Sequence, residues 1–68
     1  MSPRLLRQLW SVIDAAHSNY ILSLDDQGLA NWLLEQLCHQ SSLDNVELNQ
    51  VNRYIQSKLP LIRDMAQR

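Results

Sequence analysis

Cys38 and His39 are the residues whose types most directly suggest chemistry, since a thiol beside an imidazole is raw material for a nucleophile pair or a metal site. Their spacing argues against both. Neighbouring positions on a helix point about 100° apart, so the two side chains do not converge on one ion. His17 is the only other histidine, and it stands far along the chain from this pair. Cys38 falls in phase with an apolar helix edge, where a thiol behaves as a small inert hydrophobe. Ser41 and Ser42 lack a histidine–acid arrangement, and Gly28 is the sole glycine, too few for a phosphate-cradling loop. The expectation is a non-enzymatic protein with no cofactor, no catalytic residue and no metal.

A second set could read nucleic acid. Asn45, Asn49, Asn52, Arg53 and Gln56 share one side of a helix near the C-terminus, and amides with arginine are base-edge readers. The preceding loop "HQSSLDN" is longer than the roughly 3–4-residue turn of a helix-turn-helix. Charge argues the same way. From Gln8 to Asn52 there are six acids (Asp14, Asp25, Asp26, Glu35, Asp44, Glu47) and no lysine or arginine. The bases Arg4, Arg7, Arg53, Lys58, Arg63 and Arg68 lie toward the ends, and the net charge is −1. Phosphate binding needs a basic footprint. A DNA-binding regulator using this polar face is therefore the alternative reading, and complementary charge between helix ends is the simpler one. In that scheme Arg4 and Arg7 lie near Asp44 and Glu47, while Asp25 and Asp26 meet Arg63 and Arg68.

The remaining notable side chains are apolar. Trp10 and Trp32 sit at the rims of their helices' apolar arcs, and Tyr54, Leu61 and Met65 form a row beside the main stripe of the last helix. One small bundle does not easily bury that row. These five residues are the candidate interface, and the spare surface points to a homodimer or to a further protein partner.

Three helices must position them. Ser2 and Pro3 make a strong helix start. Leu5, Leu9, Val12, Ile13, Ala16 and Tyr20 then hold one face, so the first helix is expected over about residues 3–21. "SLDD" suggests a capping box from Ser23 to Asp26 that opens a second helix over about 24–39. Its apolar positions (Leu29, Ala30, Trp32, Leu33, Leu34, Leu37, Cys38) cover about half its circumference, the mark of a central helix. Close packing is expected at Gly28. Asp44 and Glu47 form another capping-box pattern, opening a third helix over about 45–65. Leu48, Val51, Ile55, Leu59, Ile62 and Ala66 keep phase on both sides of Pro60. A helix that runs through the proline and bends there is thus favoured over one that stops at Lys58.

The expected fold is all-α: a three-helix up-down-up bundle with a kinked third helix. With 68 residues there is one domain, 1–68, with a small core, and a single cysteine excludes an internal disulfide. No apolar run reaches the roughly 20 residues of a membrane span, and "MSPRLLRQLW" lacks the order of a signal peptide. A cytoplasmic protein without membrane contact is expected. The runs "YIQSKLPLIRDMAQR" and "LANWLLEQL" resemble short, uncharacterised helical proteins of cyanobacteria. That resemblance implies no activity and no site residue.

Overall fold

A computed structural model of the chain describes residues 2–67, and Arg68, expected to join the C-terminal charge cluster, lies outside them. The described residues form four helices rather than three: α1 (Pro3–Ala15), α2 (Ser18–Ser23), α3 (Asp26–Gln40) and α4 (Asn45–Ala66). The fold is all-helical, as expected.

The extra helix comes from a break in the expected first one. Ala16 and His17 are both extended, with ψ near 145° and 129°, and the Ala16 N–H closes α1 on the Val12 and Ile13 carbonyls. The residues at the break, His17, Ser18 and Asn19, are all weak helix formers, and Ser and Asn favour helix ends over interiors. The break also corrects a phase conflict. In one continuous helix, Tyr20 falls on the core stripe and Ile21 about 130° from its centre. The turn reverses this, leaving Ile21 2% exposed and Tyr20 44% exposed.

The second expected helix begins later than a Ser23 cap implies. Asp25 is the N-cap, and its carboxylate accepts from the Gly28 N–H at 2.7 Å. Ser23 instead ends α2, its hydroxyl donating to the Tyr20 carbonyl. The close approach expected at Gly28 is real but local. A Cβ there would lie 2.7 Å from the capping carboxylate Oδ1 of Asp25, not against another helix.

The last helix matches its expected limits. Asp44 accepts from the Glu47 N–H at 2.7 Å, and the Glu47 carboxylate accepts in return from the Asp44 N–H. The helix continues through Pro60, which is exposed, so the Gln56 carbonyl left without its usual donor is on the watered side.

The core is wholly apolar. Leu9, Leu29, Leu33, Leu37, Val51 and Ile55 have no exposed surface. The α3 helix packs on both α1 and α4, which is why its apolar positions spread so widely, and α2 packs on α4. The Ser41 hydroxyl donates to Gln8 Oε1 at 2.8 Å, joining the middle of α1 to the α3–α4 link at one end of the molecule. At the other end Arg63 of α4 reaches the α2–α3 turn. Its Nη1 and Nη2 donate to the Ile21 and Leu24 carbonyls at 3.3 and 2.7 Å. Its Nε and Nη2 donate to Asp26 Oδ1 at 3.1 and 2.9 Å. The Asp26–Arg63 pairing is the one expected from charge distribution. At the opposite end Arg4 and Glu47 border one surface depression, as expected, but among the described residues neither Arg4 nor Arg7 forms an ion pair within 4.0 Å.

Two outcomes test this account by urea denaturation. Arg63→Ala should cost about 2 kcal/mol, because several hydrogen bonds to a charged group are lost and two carbonyls are left unpaired. Arg63→Lys should recover less than half of it, since an ammonium cannot reproduce the fork. Gly28→Ala should gain little of the roughly 1 kcal/mol that alanine normally brings to a helix, because the new Cβ displaces the Asp25 cap. In an Asp25→Ala background the same substitution should show the full gain; equal effects in both backgrounds would sink the explanation.

Candidate functional site

The five expected interface residues divide into two aromatic pairs and an exposed flank. Trp10 is placed on the side of α1 that faces α4, because it follows the buried Leu9 by about 100°. Tyr54 precedes the buried Ile55 on α4 in the same way. The two rings meet edge to face, with centroids 6.3 Å apart and planes at 88°. Trp10 Nε1 donates to the Tyr54 hydroxyl at 3.0 Å. The indole's one polar atom is thereby satisfied inward, which leaves its apolar faces free for burial elsewhere. Lys58 places its ammonium 5.8 Å from the Tyr54 ring centroid, within cation–π range.

Leu61 and Met65 continue from Tyr54 along α4, seven and eleven residues on, within an arc of about 40°. They do not share one environment. Leu61 is 43% exposed. Met65 is half-buried and lines a small cavity of about 100 Å³ between α1, α2 and α4, with Ile13, Ile21 and Ile62 among its neighbours.

Trp32 belongs to a different surface. Its ring meets that of Tyr20 at 5.2 Å between centroids and 66° between planes. Together they form one wall of an apolar groove of about 470 Å³ that also includes Val12, Ala16, His17 and Gln36. Helical phase assigns Tyr20 to the core, so this pair is not legible as a contact. The signal that locates it is the run of weak helix formers at His17–Asn19, which breaks the helix and swings Tyr20 toward α3.

The residues considered for chemistry are scattered. Cys38 is exposed, not on a buried apolar edge as its phase suggests. The arc of α3 that is covered by α1 and α4 ends at the half-buried Leu34. His39 is exposed and approaches Glu35 at 3.9 Å, one helical turn away. His17 lies in the α1–α2 link. Among the described residues, no three His, Cys, Asp or Glu side chains gather closely enough to hold a metal ion. No described helix is long and apolar enough to cross a membrane. Asn45, Asn49, Arg53 and Gln56 face solvent along the first half of α4, while Asn52 is half-buried. Asp44 and Glu47 stand at the start of the same helix.

Comparison with protein-family models, with curated proteins and with solved structures returns no match.

The Trp10–Tyr54 contact is checkable without knowing a ligand. Tyr54→Phe keeps the ring and removes the acceptor, so it should cost about 1 kcal/mol in thermal or urea unfolding. A double-mutant cycle with Trp10→Phe should return a coupling of similar size; zero coupling would mean that the bond contributes nothing.

Proposed function

We propose that this chain is a small, non-catalytic protein–protein interaction module that self-associates as a homodimer through the seam between α1 and α4. The observation that carries this reading is the state of Leu61. It is a large aliphatic side chain 43% exposed on the longest helix, continuous in phase with Tyr54 and Met65. Single exposed leucines are ordinary. Leu61 and Met65 continuing from a Trp10–Tyr54 pair is the composition of an interface core, enriched in aromatics and methionine.

Size supports the same reading. A domain this small buries a modest share of its surface and gains disproportionately from self-association. A bundle whose first leg is the broken α1–α2 pair, and a bend of α4 at Pro60 that wraps its stripe around the core, belong to the same proposal. So does a cytoplasmic setting. Protein contact is favoured over DNA because the net charge is −1 and Arg53 is the one base among the amides of α4, whereas phosphate binding needs a basic footprint.

Light scattering across a concentration series tests the reading. The wild-type chain should approach twice its 7.9 kDa mass, and Leu61→Glu should remain at the single mass with an unchanged helical circular dichroism signal. A wild-type monomer at every concentration would remove self-association. Salt-dependent retention on duplex DNA that is lost in Arg53→Ala would replace protein contact with nucleic-acid binding.

A further inference from the structure

The outward side of α1, away from the core, carries a charge pattern that its own fold does not use. Arg7 and Asp14 are both exposed and border one shallow surface depression with Arg4, Gln8, Trp10 and Ser11. Neither Arg7 nor Asp14 has an ion-pair partner within 4.0 Å among the described residues. Seven residues apart, they lie within about 20° of each other around the helix and about 10.5 Å apart along it. The midpoint between them falls between Trp10 and Ser11.

That pattern is self-complementary under one operation only. If two copies of α1 lie antiparallel about a two-fold axis at this midpoint, Arg7 of each copy faces Asp14 of the other. A parallel arrangement sets like charges opposite one another. Ser11, small and exposed, sits beside the axis and lets the helices approach closely. Trp10 sits at the other side of the axis with its indole N–H already committed to Tyr54, so its ring can be buried without leaving a polar atom unpaired. A two-fold contact is isologous, using the same patch on both partners.

We infer that the occupant of the α1 surface is a second copy of this chain, docked antiparallel with reciprocal Arg7–Asp14 pairs on either side of a Trp10 and Ser11 centre. This rests on the self-association proposed above and specifies its geometry. Arg7 and Asp14 give register and orientation, and the apolar surface at Trp10 gives the affinity. Exposed charge pairs contribute modestly, whereas like charges forced together discriminate strongly between arrangements.

The charge-swap experiment uses the full chain with Arg7→Glu and Asp14→Arg made separately. Both positions are exposed, so each variant should retain the wild-type helical signal. In sedimentation equilibrium each variant alone should dimerise about tenfold or more weakly than wild type, because two reciprocal attractions become two repulsions. An equimolar mixture of the two variants should regain dimers. In the mixed dimer the introduced glutamate faces the introduced arginine, and the unchanged Asp14 of the first variant faces the unchanged Arg7 of the second. A monomeric wild type would overturn both this geometry and the self-association beneath it. A dimeric wild type with equally dimeric variants would overturn the α1 pairing and leave self-association standing. Weakened variants that fail to rescue one another would overturn the antiparallel two-fold arrangement.

Discussion

The guanidinium of Arg63 holds the arrangement of this chain at its most vulnerable place. A helix of six residues has no independent stability, since nucleation is costly and few turns follow to offset it. The α2 helix forms because Ile21 is drawn into the core and because Arg63 covers its open end. The last carbonyls of a helix have no partners within it. Arg63 supplies donors to Ile21 and Leu24, and the same fork holds Asp26 in the first turn of α3. One side chain thus ties the end of α2, the start of α3 and the last turns of α4 together. Because it is 25% exposed, it remains partly hydrated while doing so, which limits the cost of burying its charge.

The rest of the fold is arranged around α3. Its fully buried leucines, Leu29, Leu33 and Leu37, lie between α1 on one side and α4 on the other. The helix is short of polar faces for that reason. The longer α4, at 22 residues, sets the long dimension of the molecule: a rise of about 1.5 Å per residue puts its end Cα atoms roughly 31 Å apart, the same as the overall extent of 31 Å. It carries the stripe that closes the core and the row, Tyr54 to Met65, that the core does not consume. Its two neighbours divide that row unequally. Trp10 covers Tyr54, the α1–α2 corner covers part of Met65, and Leu61 between them is left to solvent.

This unequal cover links the structure to the proposed function. A surface with a rigid, hydrogen-bonded aromatic pair and an adjacent aliphatic side chain loses little conformational freedom when it is buried. The charges of α1 at either side of Trp10 then have a role that the intramolecular fold leaves open. The Tyr20–Trp32 groove on the opposite side of the break is better explained by the fold itself: the rings fill the angle that the turn at Ala16–His17 opens between α2 and α3.

Much of this was readable from residues. Leucine phase on α3 and α4 located the core, Ser2 with Pro3 started α1, and Asp44 with Glu47 started α4 where they indicated. Local chemistry determines these features, because a cap or a stripe is complete within a few residues. Charge distribution also placed Asp26 with Arg63, because the short α2–α3 link sets Asp26 beside the last turns of α4, although the same argument produced no ion pair for Arg4 or Arg7. What the chain alone did not determine was where the first helix breaks, which residue caps α3, and whether Cys38 faces water. The break joins a local signal at His17–Asn19 to the pull of a distant core. The cap is settled by a competing local bond of Ser23, and the exposure of Cys38 depends on how far α1 and α4 reach around α3. Ile21 outcompetes Tyr20 for the core only because α4 offers Ile62 and Ala66 at that depth, and Asp25 replaces Ser23 as cap because α2 already uses Ser23. Periodicity reports which residues prefer burial; only the packed helices decide which of them the available core admits.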